Sequence, residues 1–260
     1  MSKVLLLLLA LLAPTLTQAA IETKAVEYQQ GDTRLVGYLA YPKEAKGPLP
    51  GVLVVHEWLG LNDYAKHRAN QLAELGYVAF AADIYGDGKV VADPKEASKL
   101  SGSHKKDRPL LRARAAAALA TFKAQPGVAP DQIAAIGYCF GGTTVLELAR
   151  SGANVAGVVS FHGGLDTPAP QDAKNIRAKV LALHGADDPY VPADQVAAFE
   201  NEMRQGGVDW QLVAYGGAVH GFTNPANGSD NSKGAAYNAA ADARSWAAMQ
   251  QFFGELFGER

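Results

Sequence analysis

The chain has 260 residues, 48% of them hydrophobic and 19% charged, with a formal net charge of −2. That balance supplies no field to attract nucleic acid or anionic lipid. One cysteine in the whole chain rules out an internal disulfide.

Residues 1–19 read as a secretory signal peptide. Lys3 supplies a positive start, residues 4–12 form a short apolar run, and Thr17-Gln18-Ala19 ends in small residues, so cleavage is expected after Ala19. The run is shorter than the roughly 20 apolar residues of a spanning helix. The expected product is exported, periplasmic or secreted, with residues 20–260 forming a single domain large enough to bury a substantial core.

Two half-alternating segments, 24–29 and 34–40, flank Gly31-Asp32 and predict a hairpin. Residues 51–55 are a continuous β-branched run, the pattern of a strand buried on both faces. Helical spacing over 63–75 ends at Gly76, and 77–82 is a further apolar run. His104-Lys105-Lys106-Asp107-Arg108 is the densest basic stretch and reads as a solvated loop. Helices are then expected over 108–124, 143–150, 192–205 and 235–257, alternating with strands over 132–138, 155–161, 180–184 and 210–215. The alternation predicts an α/β fold with a mostly parallel sheet and helices on both faces. In such sheets functional groups gather on loops beyond the carboxyl ends of the strands.

The lone cysteine falls at one of those ends. Gly137-Tyr138-Cys139-Phe140-Gly141, between a strand and a helix, matches the G-x-S-x-G nucleophile elbow with sulfur in place of oxygen. The glycines are needed because the strained turn brings backbone into close contact. A helix N-terminus behind the sulfur favours thiolate. In this fold the triad runs nucleophile, acid, histidine. His56, His67 and His104 precede Cys139, and His162 and His184 precede the acid candidates, which leaves His220 in a glycine-rich loop. His184 reads as strand-end packing. The acid lies in Asp187-Asp188-Pro189-Tyr190-Val191-Pro192; Asp188 is expected to serve, with Asp187 as a turn former. His56-Glu57 begins like the zinc motif H-E-x-x-H, but the second histidine position is Gly60. A metal site from His56, His162 and Asp188 is disfavoured, and no phosphate-cradling or dinucleotide loop appears, so no metal or cofactor is expected.

Gly-Tyr-Cys-Phe-Gly-Gly, Asp-Asp-Pro-Tyr-Val-Pro and Val-His-Gly-Phe, at these separations, resemble the dienelactone hydrolase family of α/β-hydrolases, over nearly all of residues 20–260. The resemblance implies that Glu57 faces the resting thiol of Cys139. It also implies that the backbone N–H groups of Trp58 and Phe140 form the oxyanion hole. One position departs from it: where family members that open dienelactones carry an arginine four residues past the catalytic histidine, this chain has Asn224. A second anion-binding arginine has no match in 93–100.

The sequence therefore predicts an exported, cofactor-free hydrolase of small-molecule esters or lactones, acting through Cys139, His220 and Asp188; a monomer is expected, and residue order leaves an oligomer open. No membrane partner is expected once the leader is removed. Two other readings are a thiol-based redox protein, which lacks a resolving cysteine here, and a non-catalytic binding module, which would not need all three triad residues.

Overall fold

The computed structural model describes residues 20–258, so the predicted leader lies outside the described residues. The hairpin runs longer than its alternation suggested: β1 (Ile21–Gln30) pairs antiparallel with β2 (Thr33–Pro42). Then follow β3 (Leu49–Val55), α1 (Asp63–Glu74), β4 (Val78–Ala82), α2 (Pro94–Lys106), α3 (Arg108–Lys123) and β5 (Val128–Tyr138). The chain continues through α4 (Phe140–Arg150), β6 (Gly157–Phe161), β7 (Lys179–Gly185), α5 (Ala193–Gly206), β8 (Trp210–Tyr215) and α6 (Ala239–Phe257). The eight strands form one sheet in the order β1-β2-β4-β3-β5-β6-β7-β8, parallel from β4 to β8. This is the α/β-hydrolase architecture.

The period-2 geometry of strands divides the core into two layers. Leu53, Phe80, Ile133, Val158 and Val180 face one side, where Ala115 and Phe122 of α3, Val145 of α4 and Phe199 of α5 cover them. Their neighbours Val52, Ala79, Ala134, Val159 and Leu181 face the other, beneath Leu72 of α1 and Met249 and Phe253 of α6. Because both faces are covered, the central strands carry apolar runs rather than alternation. Among the described residues no helix is long and apolar enough to cross a membrane.

The structure corrects the reading of 104–108 as a solvated loop. His104 to Lys106 close α2, Arg108 opens α3, and Asp107 sits between them. The Asp107 carboxylate accepts the Leu110 N–H at 3.0 Å, which caps α3 and lets two helices abut without a loop. His104 and Arg108 are buried, and Arg108 donates to Asp166 at 2.8 Å. The last helix begins at Ala239 rather than 235, because Asn238 caps it through the Ala241 N–H while Ala235 forms a bridge to His220.

Every residue of α4 is buried, including Glu147 and Arg150. Arg150 fills its hydrogen bonds with Glu202 (2.8 Å), Glu147 (3.0 Å) and the Leu165 carbonyl (3.0 Å). A helix locked in this way gives a fixed platform to whatever its N-terminus presents.

Candidate active site

Between β5 and α4 the backbone turns at Cys139 with φ 54° and ψ −114°. That is a left-handed conformation rarely taken by a residue with a Cβ, and it holds strain of about 1–3 kcal/mol. The two glycines of the motif make the turn possible. A Cβ on Gly137 would overlap the Gly141 carbonyl, and one on Gly141 would overlap the Val55 carbonyl. The turn leaves the Cys139 side chain partly exposed at the carboxyl edge of the sheet, while Tyr138 and Phe140 on either side are buried.

His220 arrives from the loop after β8. Its Nε2 lies 3.1 Å from Cys139 Sγ, and its Nδ1 lies 2.8 Å from Asp188 Oδ2. Asp188, buried after β7, uses its other oxygen to accept the Tyr190 N–H at 2.8 Å, which fixes the carboxylate. Asp187 points elsewhere: its carboxylate accepts the Gly217 N–H at 3.0 Å and fastens the histidine loop. Adjacent side chains diverge, so one acid orients the imidazole and its neighbour ties down the loop. Burial alone would lower the His220 pKa; the sulfur of Cys139 and the Asp188 carboxylate outweigh it and hold the imidazole well above its ordinary range.

Glu57 follows β3 and is buried. Its Oε2 accepts the Asn224 Nδ2–H at 2.5 Å. The resemblance implied a resting thiol turned toward Glu57; here the sulfur faces His220 instead, and Glu57 is engaged by Asn224. The position that raised doubt about an anion-binding arginine thus has a local task, which its short neutral amide can fill. Residue-type reasoning missed that task because the two partners are 167 positions apart.

Burial raises the Glu57 pKa above the usual 4.5, although the Asn224 hydrogen bond and the positive charges of His220 and Arg68 pull it down. A carboxyl whose folded pKa is raised contributes stability that is full below its unfolded pKa and is lost as pH rises through the folded one. Glu57→Gln, which still accepts from Asn224, removes that loss. In thermal melts from about pH 4 to pH 8 the variant should gain on the native protein as pH rises, by about 2–4 °C per kcal/mol recovered. Parallel curves would contradict the account.

The other histidines are structural in their contacts. His56 accepts the Ile84 N–H on Nε2 at 3.3 Å, so its proton sits on Nδ1, 2.6 Å from the Glu57 carbonyl. Burial lowers its pKa to about 4, and its ring stacks on Phe140 at 5.8 Å. His162 is engaged on both nitrogens, by the Cys139 N–H and Thr223 Oγ1. His184 is buried at the end of β7, as its sequence context suggested. Among the described residues no group of three or more His, Cys, Asp or Glu is arranged to hold a metal ion.

A cavity of about 390 Å³ opens over the sulfur. Glu57, Trp58, Cys139, Phe140 and His220 meet on its wall. Phe140 is the first residue of α4, so its N–H has no partner within the helix. Lys105 of α2 and Tyr190, neither assigned a role from the sequence alone, also line the cavity. The Tyr190 ring meets His220 edge-on at 5.4 Å.

The model of the dienelactone hydrolase family matches residues 35–257, which contain all of these groups. The chain belongs to the dienelactone hydrolase family. It is a hydrolase of the α/β-hydrolase fold. Two solved structures share 46% of its sequence over 92% of its length. One is m3DLH, covered over 99% of its own chain with a TM-score of 0.88. The other is a dienelactone hydrolase-like promiscuous phosphotriesterase from metagenomic libraries, covered completely, with a TM-score of 0.87. A curated relative from Bradyrhizobium sp, named as a probable 2-oxo-3-(5-oxofuran-2-ylidene)propanoate lactonase, is 31% identical; the match covers 78% of this chain and 86% of the relative. This member of the dienelactone hydrolase family keeps the family's fold while carrying Asn224 beside its buried glutamate.

Proposed function

We propose that this dienelactone hydrolase family member cleaves neutral carboxylic esters or lactones with Cys139 as nucleophile. The observation that carries the reading is the unbroken line from Asp188 Oδ2 to His220 Nδ1 (2.8 Å) and from His220 Nε2 to Cys139 Sγ (3.1 Å). His220 takes the thiol proton, and Asp188 stabilises the imidazolium through Nδ1–H. Sγ adds to the carbonyl carbon, and the oxygen that becomes negative is held by the N–H groups of Phe140 and Trp58, at about 3 kcal/mol per donor. As the C–O bond breaks, the leaving oxygen takes the proton from His220 Nε2, giving a thioacyl-enzyme. A water deprotonated by His220 then attacks the acyl carbon, and the thiolate departs. A redox cycle would need a second thiol from outside, since the chain has only Cys139.

The preference for neutral substrates rests on the charges around the cavity. Asn224 supplies no positive charge, and Lys105 lies at 3.9 Å from Asp166, which partly balances it. Burying an unpaired substrate carboxylate is costly. The expected result is a higher kcat/KM for short neutral esters and lactones than for carboxylate-bearing analogues, in both the native protein and Lys105→Ala. An anionic preference that collapses in Lys105→Ala would overturn the reading and make Lys105 the anchor. A neutral phosphate triester belongs in the same panel, because thiolate attack and oxyanion donors suit phosphorus as well, and the metagenomic relative is named for that activity.

Export remains part of the proposal, supported by the leader-like composition of residues 1–19. N-terminal sequencing of protein from its native host should begin at or near Ala20; an intact Met1 would contradict it.

A further inference from the structure

We propose that His162 and Thr223 are positioning residues that hold the nucleophile elbow and the histidine loop in register. The inference rests on the reading of Cys139 as nucleophile.

His162 stands just past β6, buried, with φ 39°. Left-handed backbone is uncommon outside glycine, and histidine is among the residues that tolerate it. The ring lies between two parts of the site. Its Nδ1 is 3.2 Å from the Cys139 backbone nitrogen, whose N–H it shares with the Phe161 carbonyl at 3.0 Å, and its Nε2 is 2.7 Å from Thr223 Oγ1.

Donor and acceptor roles follow from the two ends of this chain of contacts. A backbone N–H can only donate, so Nδ1 must be bare, and the single proton sits on Nε2 and is donated to Thr223 Oγ1. The Thr223 hydroxyl shares a hydrogen bond with Tyr64 Oη, 2.6 Å away, in which it can donate while accepting from His162. Tyr64 Oη receives the Arg68 Nε–H at 3.1 Å and donates toward the Thr223 carbonyl at 3.2 Å. Arg68 closes the far end, donating from Nη2 to the same carbonyl (2.8 Å) and to Asp242 of α6 (2.6 Å). These directions are mutually consistent from the Cys139 backbone to Asp242. Burial, with the positive charges of His220 and Arg68 nearby, lowers the His162 pKa well below its ordinary value and keeps the ring neutral, as the first link requires.

Thr223 is three residues beyond His220 and one before Asn224, which holds Glu57. One hydroxyl therefore ties the loop carrying the proton shuttle to the backbone of the nucleophile itself. Thr223 and His162 are both buried and neither lines the cavity. Their loss should act on the alignment of Sγ and Nε2 rather than on substrate binding.

The test compares Thr223→Val, which removes the hydroxyl at nearly constant volume, with Thr223→Ser, which keeps it. Steady-state kinetics on a short neutral ester are read beside thermal melts and the rate of iodoacetamide alkylation of Cys139. Thr223→Val is expected to lower kcat by about tenfold, equivalent to about 1.4 kcal/mol, with KM changed less than about twofold and alkylation slowed. Thr223→Ser should stay within about twofold of the native protein in all three. A folded Thr223→Val with native kcat, or equal losses in the two variants, would overturn the proposal. Should the valine variant not fold, His162→Asn serves, since its amide oxygen can accept the Cys139 N–H while the link to Thr223 is cut. It should show the same drop in kcat at constant KM, and native kcat there would overturn the proposal. Full activity in Cys139→Ala would instead sink the underlying reading, an outcome distinct from either of these.

Discussion

Cys139→Ala and His220→Ala should each lower kcat/KM toward short acyl esters by about 10⁴–10⁶-fold while the protein stays folded. The magnitude follows from acting as a unit. Without the sulfur no covalent intermediate forms, and without the imidazole the thiol 3.1 Å away has no base to take its proton. What survives is the stabilisation by the Phe140 and Trp58 N–H donors together with binding, typically about 10³–10⁴ over water. His220→Ala should lower the melting temperature without unfolding the protein, because the residue lies outside both core layers but its loss leaves the buried Asp188 carboxylate with the Tyr190 N–H and no charge partner. Cys139→Ala retains the left-handed turn and its strain. Circular dichroism and thermal melts on the same preparations distinguish a lost reaction from a lost fold. Substantial esterase activity in a folded Cys139→Ala would contradict the account.

Asp188→Asn should cost about 10³–10⁴-fold in kcat with little change in KM, and the reason lies in which proton faces which atom. The Tyr190 N–H holds one oxygen of Asp188, so the asparagine oxygen remains there and its NH₂ turns toward His220 Nδ1. An NH₂ group can only donate, so it forces the imidazole proton onto Nε2, where it points at sulfur and cannot accept from it. Asp187→Asn is the matched control. That carboxylate accepts the Gly217 N–H, an interaction an amide oxygen preserves, and the loss should stay within about tenfold. Equal losses at the two positions would show that loop attachment, not orientation of the imidazole, governs the rate.

The roles of the neighbouring aspartates follow from local sequence, and so does the elbow. The elbow was legible because its constraints are local: two glycines whose Cβ atoms would overlap backbone, and an apolar strand leading into a helix. The order nucleophile, acid, histidine then singled out His220, since topology fixes which strand ends come together. The core strands were legible for the same reason, their runs of Val, Leu, Ile and Ala reporting burial on both faces. Helix α2 was not, because of its thirteen residues only Ala97 and His104 are buried, leaving no apolar stripe to detect. Its signal was the Asp93 cap ahead of Pro94, a feature of helix starts that needs no hydrophobic period. The contacts Asn224–Glu57 and Thr223–His162 span 167 and 61 positions and depend on side-chain direction, which residue order does not encode. The orientation of the thiol toward His220 rather than Glu57 belongs to the same class.

In the proposed reaction the acyl group passes through the sulfur of Cys139. Acid quenching of the enzyme within milliseconds of mixing with a slowly deacylating aryl ester, followed by proteolysis and mass spectrometry, tests it directly. The expected product is a peptide containing Cys139 heavier by the acyl group, formed in a burst stoichiometric with active sites and absent in His220→Ala. An unmodified Cys139 peptide during rapid turnover, or acyl mass on another residue, would contradict it.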